Sequence, residues 1–481
     1  MKNKTDFPKV LIVASECSPL SKTGGLADVA GALPGAIAKE LAEIRVFTPY
    51  HKTAREKFSD KVQHLGELSV PMGGENVPGR ILKLELGENI YYLLENEKYF
   101  SKSIYLGDEL EGEQYAFFCK ASLAALEIID FDPQILHLND WHTGMIPRLI
   151  SDNFAQSADR KLKILLTIHN LAFKGIYPHS FFEKFFGISE FEESLKMYSD
   201  CGAFLKSGIL RADLVNAVSP SYSEEICTEG FGEGLSAELR SLGSRLRGVL
   251  NGIDYKLWNP ENPEIHTPFN RESLHLKKEN KSFLLSECSL SGSEKTPLLG
   301  IVGRLTNQKG YGLILDKADE LMQLNIRLVV LGSGDPKLEE KFKAFKDRYP
   351  DKVFLKVGYD EELALKIYAG ADIFLMPSAF EPCGLAQMIS MRYGTLPLVR
   401  RVGGLKDSVK CYDEYGIDAT GFAFDNMSSS ELFDTLKTAI GLFYDSKTWK
   451  RLQQNAMSED FGLSKMGSEY LSIYRELLGL G

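Results

Sequence analysis

The sequence predicts an α/β fold with two doubly wound, Rossmann-like parallel-sheet domains that face each other across a cleft. Its 481 residues exceed what one hydrophobic core usually supports, which indicates two domains. In both halves, short apolar runs alternate with helical patterns, and several of the runs end in polar residues. Such residues are expected there, because ligands bind outside the carboxyl ends of the strands in an open parallel sheet.

The predicted strands form one set in each half of the chain. In the first half they are 10–15, 45–49, 90–94, 135–139, 164–169 and 214–219. The run 81–86 alternates apolar and polar residues, so we expect it to pair antiparallel with 90–94. In the second half the predicted strands are 298–302, 326–331, 353–357, 373–376, 396–399 and 422–424.

The proline-rich, polar stretch 258–297 lies between the two sets and places a domain boundary near residues 251–260. The predicted domains are therefore 1–253 and 254–459. The pattern after residue 424 is wholly helical up to the end of the chain.

Composition excludes several classes of protein. A formal net charge of −10 argues against a general nucleic-acid-binding surface. No apolar run reaches the roughly 18 residues of a membrane span, and residues 1–9 contain no apolar signal core. Seven cysteines without a CxxC pair fit free thiols in a reducing compartment, so we expect a cytoplasmic location.

Residues 303–310, Gly-Arg-Leu-Thr-Asn-Gln-Lys-Gly, follow a predicted buried strand and precede a helical pattern. The guanidinium of Arg304 and the ammonium of Lys309, next to a helix N-terminus, suit an anionic ligand such as a phosphate. The alternative is a surface turn whose cations are only solvated.

A second glycine-rich segment, residues 21–30, follows the first predicted strand and opens a helix. The backbone at Gly24 and Gly25 can approach a bulky ligand closely, and Lys22 adds a full charge. The spacing matches neither a P-loop nor a GxGxxG fingerprint, which disfavours a dinucleotide oxidoreductase. The alternative is a flexible loop with an uninvolved lysine.

Polar residues also end two neighbouring strands of the first half. Residues 137–142 read His-Leu-Asn-Asp-Trp-His, where Trp141 is a candidate apolar wall for a sugar ring. The spacing of His137 and His142 does not aim two imidazoles at one metal ion, and no metal site is predicted. His169 and Asn170 end the next strand; a histidine there is more often structural than catalytic.

Residues 380–387, Phe-Glu-Pro-Cys-Gly-Leu-Ala-Gln, follow a predicted strand of the second half. Here Glu381 is a candidate ligand-binding carboxylate, and Pro382 fits the first position of a helix. The N–H groups of Gly384 and Leu385 are expected to open that helix, and Cys383 is assigned a packing or backbone role. Gly403 and Gly404 repeat the glycine-turn-helix arrangement.

Together these motifs resemble those of bacterial glycogen synthases and plant starch synthases. The resemblance rests on Lys-Thr-Gly-Gly-Leu-Ala-Asp-Val from Lys22, Gly-Arg-Leu-Thr-x-Gln-Lys-Gly from Gly303 and Glu-Pro-Cys-Gly-Leu-x-Gln from Glu381. It extends over nearly the whole chain and includes Leu-Asn-Gly-Ile-Asp at 250–254, with Asn251. It implies the glycosyltransferase B fold, an acceptor-side first domain, a donor-side second domain and a C-terminal helix, 460–481, that returns to the first domain.

The resemblance also implies a retaining transfer of glucose from ADP-glucose, or UDP-glucose, to the non-reducing end of an α-1,4-glucan such as glycogen, without a cofactor. Arg304 and Lys309 would hold the diphosphate, with Lys22 and the amides of Gly24 and Gly25 on the other domain. Glu381 would bind the hexose hydroxyls, Asp140 and His169 would line the hexose pocket, and Tyr359 would lie near the nucleobase. The remaining substrate contacts would come from Asp28, Asn170, Asn251, Cys383, Gly384, Leu385, Gly403 and Gly404.

Four positions depart from the family pattern: Ala203 stands for Asn, Glu233 for Tyr, Val402 for Thr and Leu463 for Trp. The departures at Ala203, Glu233 and Val402 keep open a catalytically inactive glucan-binding or regulatory protein. Three enzyme classes compete with the glycosyltransferase: a glucan phosphorylase with a pyridoxal-bound lysine, a nicotinamide oxidoreductase and a glycosidase. A glycosidase needs two carboxylates, and Glu381 has no evident partner.

Overall fold

The computed structural model describes residues 7–107, 109–190 and 192–480. The chain divides into two compact units. Unit 1 comprises Met1–Gly252 and Leu463–Gly481, and unit 2 comprises Ile253–Gly462. The predicted absence of a signal core concerns residues 1–9, and residues 1–6 lie outside the described part of the chain, as does residue 481 at the end of the predicted C-terminal helix.

Unit 1 contains twelve strands in its described residues. They are β1 (Lys9–Val13), β2 (Glu43–Pro49), β3 (Gln63–Met72), β4 (Glu75–Leu86), β5 (Asn89–Glu95), β6 (Ile135–Asn139), β7 (Lys163–Ile168), β8 (Ile176–Pro178), β9 (Lys196–Tyr198), β10 (Cys201–Ala203), β11 (Leu214–Ala217) and β12 (Leu246–Gly248).

Ten helices accompany these strands in the described residues of unit 1, nine of them before Gly252 and one at the C-terminus. The nine are α1 (Gly25–Ala36), α2 (Lys52–Phe58), α3 (Glu97–Phe100), α4 (Glu109–Ala124), α5 (Ile146–Ser151), α6 (His179–Phe186), α7 (Phe204–Arg211), α8 (Pro220–Glu225) and α9 (Ser236–Ser241).

The main sheet of unit 1 has the order β12-β11-β7-β6-β1-β2-β5-β4-β3. Its pairs are parallel from β12 to β5, and β4 pairs antiparallel with both β5 and β3. The antiparallel pairing predicted for 81–86 and 90–94 is therefore confirmed. Strand β3 is not among the predicted strands, because its apolar residues alternate with many polar side chains and only the Gly73-Gly74 turn marks the hairpin. The separate small sheet β8-β10-β9 is not predicted either.

Unit 2 contains six strands and ten helices in its described residues. The strands are β13 (Leu298–Val302), β14 (Arg327–Gly332), β15 (Val353–Val357), β16 (Ile373–Met376), β17 (Leu396–Arg400) and β18 (Phe422–Phe424). The helices are α10 (Lys277–Glu287), α11 (Gly312–Leu315), α12 (Ala318–Gln323), α13 (Pro336–Arg348), α14 (Glu361–Gly370), α15 (Ala386–Arg392), α16 (Gly403–Ser408), α17 (Tyr412–Tyr415), α18 (Ser429–Phe443) and α19 (Ser446–Ala456).

The sheet of unit 2 is parallel throughout, in the order β15-β14-β13-β16-β17-β18. This order is that of a doubly wound Rossmann sheet, with the change of direction between β13 and β16. Strands β13, β15, β16 and β18 have the bounds that the sequence predicts. The predicted fold class, α/β with two parallel doubly wound sheets, is confirmed.

The last helix, α20 (Leu463–Leu477), packs on unit 1, as the family resemblance implies. Gly467 lies so close to α1 that a Cβ atom there would come within 2.5 Å of the Ala36 carbonyl oxygen. The α20 side chains also reach polar groups of the sheet. The Tyr474 hydroxyl lies 2.9 Å from Nδ1 of buried His137, and Asn216 donates to the Tyr470 hydroxyl at 3.1 Å.

Short 3-10 turns complete the secondary structure: Ala125–Glu127, Trp141–Thr143, Phe154–Arg160, Gly243–Arg245, Leu274–Leu276, Asn307–Lys309 and Gly416–Asp418. No helix in the described part of the chain has the length and apolar character that a membrane crossing requires. All seven cysteines are free thiols.

Replacing Tyr474 by Phe should lower the stability of unit 1. The substitution keeps the ring but leaves a buried nitrogen of His137 without its partner, which costs about 1–3 kcal/mol. Urea unfolding followed by hydrogen exchange of α20 and β6 would measure the loss. Tyr444→Phe, which removes an exposed hydroxyl, is the matched control. Equal unfolding midpoints for the two variants would contradict this account of the docking.

Candidate active site

Asp140 joins the carboxyl ends of β6 and β7. Its Oδ1 accepts hydrogen bonds from the backbone N–H groups of His169, at 2.6 Å, and Asn170, at 3.3 Å. Burial raises the pKa of the Asp140 carboxyl to about 7, although the two N–H donors act in the opposite direction. Asp140 also has a φ of 56°, a left-handed conformation that is costly for a residue with a side chain. The structure thus brings Asp140, His169 and Asn170 together.

The imidazole of His169 is held in one tautomer. Its Nε2 donates to the side-chain oxygen of Asn139 at 2.9 Å, and the Asn139 amide group donates to backbone carbonyls. Burial lowers the pKa of His169 to about 3, so the ring is neutral near pH 7. The Nδ1 atom is therefore left as a hydrogen-bond acceptor.

Lys22 and Asp28 form an ion pair at the start of α1. The ammonium donates to Asp28 Oδ1 at 2.6 Å, and both side chains are partly exposed. The helix begins at Gly25, and Gly24 is its N-cap in an extended conformation. The first-turn N–H groups and the Lys22 charge are thus located at the same end of α1.

Glu16, directly after β1, is a site residue that sequence reasoning did not single out. Its buried carboxylate accepts a hydrogen bond from the backbone N–H of Thr23, and its charge helps to raise the pKa of Asp140. Burial raises the pKa of Glu16 itself. Glu16 therefore lies between the Lys22 segment and Asp140 in unit 1. The signal that could have identified it was the polar pair Ser15-Glu16 at the end of a strand.

The interpretation of Trp141 as a wall for a sugar ring is wrong. The indole is buried and packs edge-on against Tyr115 and Phe204, with ring centroids 5.2 and 5.7 Å away. Gly175 covers the ring from another side, since a Cβ atom there would come within 2.2 Å of Trp141. Trp141 is thus part of the aromatic core beneath the site.

The two histidines that flank this segment have different partners. His137 contacts Tyr474 and Thr167, whereas His142 Nδ1 lies 3.3 Å from Ser15 Oγ. Among the described residues, no group of three or more His, Cys, Asp or Glu side chains is arranged to hold a metal ion.

In unit 2, the Arg304–Lys309 segment leaves β13 as a tight turn rather than as the start of one long helix. The 3-10 turn Asn307–Lys309 ends at Gly310, whose φ is 68°. A Cβ atom at Gly310 would lie 1.9 Å from the Pro377 carbonyl oxygen, so only glycine permits this backbone contact with the segment after β16. The Arg304 side chain is exposed and bonds to no residue that the structure describes.

Lys309 contacts Glu381 directly. The ammonium lies 2.6 Å from Glu381 Oε2, which also accepts a hydrogen bond from Ser378 Oγ at 2.9 Å. Glu381 is buried, and Lys309 is largely so. A buried carboxylate is stable when it is paired and hydrogen-bonded, as here. The structure therefore brings Arg304, Lys309 and Glu381 to one end of the unit 2 sheet.

The segment after Glu381 differs from the predicted helix start. Helix α15 begins at Ala386 with Leu385 as its N-cap, so Pro382 is not its first residue. The intervening turn is held by Gln387, whose amide donates to the carbonyls of Cys383, at 3.1 Å, and Gly384, at 2.9 Å. Within this turn Gly384 has a φ of 74°, which is not a helical conformation. The helix therefore starts only after the turn. Cys383 is buried, in keeping with its backbone role.

The Gly403-Gly404 segment lies against the Glu381 segment. The Gly404 N–H donates to the Glu381 carbonyl at 3.1 Å, and a Cβ atom on Gly404 would come within 2.2 Å of the Cys383 carbonyl oxygen. Helix α16 starts at Gly403, and Val402, its N-cap, provides no side-chain hydrogen bond.

Two further candidate residues, Tyr359 and Asn251, differ sharply in their exposure. Tyr359 follows β15 and is 85% exposed. Asn251 is buried in unit 1, and its side-chain oxygen has no hydrogen-bond partner among the described residues. A buried acceptor without a partner is costly, which marks Asn251 as a candidate for contact with a ligand.

The other departures from the family pattern have structural roles. Ala203 is buried as the N-cap of α7 without a side-chain hydrogen bond. Glu233 has a φ of 50° and accepts a hydrogen bond from the Lys174 ammonium at 3.2 Å. Leu463 packs, partly buried, against the core of unit 1. None of them replaces a cation or Glu381.

Comparison with known proteins identifies the family. The protein-family model described as "Starch synthase catalytic domain" matches residues 9–241. A second family model, described as "Glycosyl transferases group 1", matches residues 289–458. A glycogen synthase from Lactobacillus acidophilus is 41% identical over 98% of this chain and 100% of its own length. A glycogen synthase from Streptococcus gordonii is 42% identical with the same coverage.

Solved structures agree with this match. The catalytic domain of starch synthase IV from Arabidopsis thaliana, bound to ADP and acarbose, superposes with a TM-score of 0.89 at 29% identity, covering 98% of this chain and 99% of that chain. A sucrose-phosphate synthase from Thermosynechococcus elongatus has a TM-score of 0.63 at 17% identity, with 98% and 100% coverage, and shares the fold.

Fold and matches together define a glycosyltransferase with the B fold, an enzyme that uses a nucleotide-sugar donor and a glucan acceptor. More narrowly, the chain belongs to the family of bacterial glycogen synthases and plant starch synthases. The family predicted from the three motifs is therefore confirmed.

The shifted pKa values predict how the stability of unit 1 depends on pH. Burial lowers the pKa values of His51, His137 and His169 from 6.5 to about 4, 3 and 3. Their stabilisation is present above pH 6.5 and is lost as pH falls towards these values. Asp140 acts oppositely, since its pKa is raised from 3.8 to about 7: its contribution is present below pH 3.8 and is lost as pH rises through 7.

Asp140→Asn should therefore make stability rise more steeply with pH, by about 1.4 kcal/mol per pH unit between roughly pH 4 and 7. Asn keeps an oxygen that can accept from the His169 N–H group, so the geometry is preserved. Urea titrations at several pH values, with hydrogen exchange of β6 and β7 as the readout, would measure the slope. Parallel profiles for Asp140→Asn and the unsubstituted protein would contradict the raised pKa of Asp140.

Proposed function

We propose that the enzyme transfers glucose from ADP-glucose to the non-reducing end of an α-1,4-glucan with retention of configuration. The observation that carries this proposal is the turn that holds Arg304 exposed and Lys309 against the buried Glu381. Two cations next to one carboxylate can bind a diphosphate and hydroxyl groups of the attached hexose. The curated relatives named glycogen synthase and the starch synthase bound to ADP support the choice of donor.

In this proposal unit 2 binds the donor nucleotide. Arg304 and Lys309 hold the diphosphate, and the backbone N–H groups of Gly384 and Leu385 contribute donors. Cys383, Gly403 and Gly404 line the same site, where the Gly404 N–H is bonded to the Glu381 carbonyl. Glu381 accepts hydrogen bonds from the hexose hydroxyls. Tyr359 lies near the nucleobase, and its exposure leaves the ring accessible for that contact.

Unit 1 acts on the hexose and the acceptor. Asp140, His169 and Asn170 surround hexose hydroxyls; the neutral His169 accepts at Nδ1 because Asn139 occupies Nε2. Asn251 supplies its unpartnered side-chain oxygen. Lys22 adds a charge for the phosphates, together with the Gly24 and Gly25 N–H groups, and Asp28 orients the Lys22 ammonium.

The chemistry follows from the charge that develops as the bond between glucose and diphosphate breaks. The leaving group becomes more negative, and fixed cations stabilise that charge more in the transition state than in the ground state. The attacking 4-hydroxyl forms the new bond on the face that the diphosphate leaves, its proton passes to an oxygen of the departing diphosphate, and no enzyme nucleophile takes part. Glu381 is already paired with Lys309 and Ser378, which favours a binding role over nucleophilic attack.

Seven free cysteines support a reducing, cytoplasmic location.

Arg304→Ala should lower kcat on the order of a hundredfold or more, because it removes one preorganised cation from the leaving group. Thermal stability should be unchanged, since the side chain is exposed and unbonded among the described residues. Lys309→Ala should lower turnover similarly and also reduce stability, because Glu381 keeps only its bond to Ser378. Lys343→Ala, an exposed lysine of α13, is the control. Normal turnover of Arg304→Ala would rule out its role at the diphosphate.

One incubation tests the reaction itself. The protein is supplied with glycogen and either ADP-glucose or UDP-glucose, and nucleotide release is measured alongside the anomeric configuration of the new linkage. We expect faster release from ADP-glucose and an α-linked product. Faster release from UDP-glucose would overturn the donor assignment. No release from either donor would instead favour the catalytically inactive glucan-binding protein.

A further inference from the structure

The part of unit 2 that carries Glu381 has no regular secondary structure. It comprises residues 377–385, between β16 and α15, all of which the structure describes, and we call it the Glu381 segment. Most of it is buried. The carbonyl groups of a buried segment outside helices and strands must find hydrogen-bond donors elsewhere. Those donors determine how firmly the Glu381 carboxylate is held.

Arg400, the last residue of β17, donates to two of these carbonyls. One guanidinium nitrogen lies 3.3 Å from the Ser378 carbonyl oxygen and also donates to the Ala379 carbonyl. The Nε atom donates to the carbonyl of Asp425, directly after β18, at 2.9 Å. Because the guanidinium is planar and rigid, these three bonds fix it between the ends of the neighbouring strands β16, β17 and β18.

Gln308 holds the next residues of the Glu381 segment. Its side-chain amide donates to the Phe380 carbonyl at 3.3 Å, and its own carbonyl accepts from the Ala379 N–H at 2.7 Å. Gln308 directly precedes Lys309, so one turn both presents that ammonium and fixes the backbone before Glu381. With the bond from α16 to the Glu381 carbonyl, four successive carbonyls, 378 to 381, accept hydrogen bonds from outside the segment.

Ser378 connects this backbone to the carboxylate. Its side chain is buried, and its hydroxyl donates to Glu381 Oε2 at 2.9 Å, while its carbonyl accepts from Arg400. A displacement of the backbone at Ser378 would therefore also move a hydrogen-bond donor of the carboxylate. Arg400 thus reaches Glu381 through one intervening residue.

We infer that Arg400 and Gln308 are positioning residues for the transfer reaction, which hold the backbone of residues 378–380 so that the Glu381 carboxylate keeps one orientation towards the hexose. A carboxylate that accepts hydrogen bonds from hexose hydroxyls acts best when it is fixed in advance, because no reorientation is then needed during the reaction. The inference rests on the proposed function, since it concerns the residue assigned there to the hexose.

The test compares Arg400→Gln with Arg401→Gln. The guanidinium of Arg401 bonds to the carboxylates of Asp413, Glu414 and Asp425, so its loss affects folding contacts without freeing the Glu381 segment. Calorimetry measures the binding of ADP and of ADP-glucose without acceptor, and kcat is measured with ADP-glucose and glycogen. We expect Arg400→Gln to lower kcat on the order of tenfold or more and to weaken ADP-glucose binding, with ADP binding unchanged within about twofold. Arg401→Gln should leave all three quantities unchanged.

A double-mutant cycle with Glu381→Gln shows whether Arg400 acts through Glu381. Once the carboxylate is absent, its orientation no longer matters, so Arg400→Gln should then lower kcat by less than about twofold. The same cycle is applied to ADP-glucose binding, which stays measurable when turnover is very low. Gln308→Leu, which removes one side-chain donor, should show the same dependence on Glu381 with a smaller effect. Arg400→Lys, which keeps the charge and a donor, should restore part of the lost turnover.

Equal losses with and without the Glu381 carboxylate would overturn the inference, because Arg400 would then act independently of it. Unchanged kcat in Arg400→Gln would overturn it too, and so would an equal loss in Arg401→Gln, which would indicate a role in stability alone. If Arg400→Gln does not fold, Arg400→Lys and Gln308→Leu carry the same comparison. Absence of turnover in the unsubstituted protein would instead contradict the proposed function, and the binding cycle would still decide whether Arg400 orients Glu381.

Discussion

The site of unit 2 depends on backbone contacts that leave no room for a side chain. The Gly310 backbone touches the carbonyl of Pro377, and the Gly404 backbone touches that of Cys383. These contacts bring the segments after β13, β16 and β17 together at one edge of the sheet. Lys309 can therefore reach Glu381 across 72 residues of sequence. The cost of keeping flexible glycines at these positions is balanced by a close arrangement of charge and N–H groups.

In unit 1, hydrogen bonds between buried polar side chains, rather than close glycine contacts, hold the site residues in place. Asp140, His169 and Asn139 form a connected set of hydrogen bonds at the ends of β6 and β7. Burial raises the pKa of Asp140 to about 7 and lowers that of His169 to about 3, so near neutral pH the His169 ring is uncharged and Asp140 is only partly ionised. A preorganised set of low charge suits the recognition of hydroxyl groups, whereas the cations of unit 2 suit phosphates.

Local patterns are sufficient to predict much of this structure. Runs of buried residues locate the parallel strands, and the bounds of β13 and β16 are predicted to the residue, because a strand buried on both faces is continuously apolar. The bounds of the edge strands β15 and β18 are also predicted to the residue. The glycine and cation spacing of the motifs also locates the site segments. In contrast, β3 has a mixed pattern that resembles a loop, and its residues alone do not indicate a strand.

Features that depend on distant contacts could not be predicted. Pro382 fits a helix start by local rules, but Gln387 holds the preceding turn and moves the start to Ala386. Local sequence suggests that Trp141 is an exposed sugar contact, but in the fold the rings of Tyr115 and Phe204 pack against it. The order of residues also does not reveal that Lys309 is paired with Glu381 while Arg304 bonds to none of the described residues.

The docking of α20 on unit 1 has a consequence for how the protein is made. His137 bonds to Tyr474, which lies 337 residues later in the chain. Unit 1 is therefore the first unit to leave the ribosome, but it is completed only when α20 has been synthesised. At about 5–20 residues per second, that interval lasts on the order of half a minute. During it the sheet of unit 1 lacks one covering helix, whereas unit 2 can already be whole. The apolar residues of unit 1 that α20 covers in the finished protein are therefore exposed to solvent for that interval.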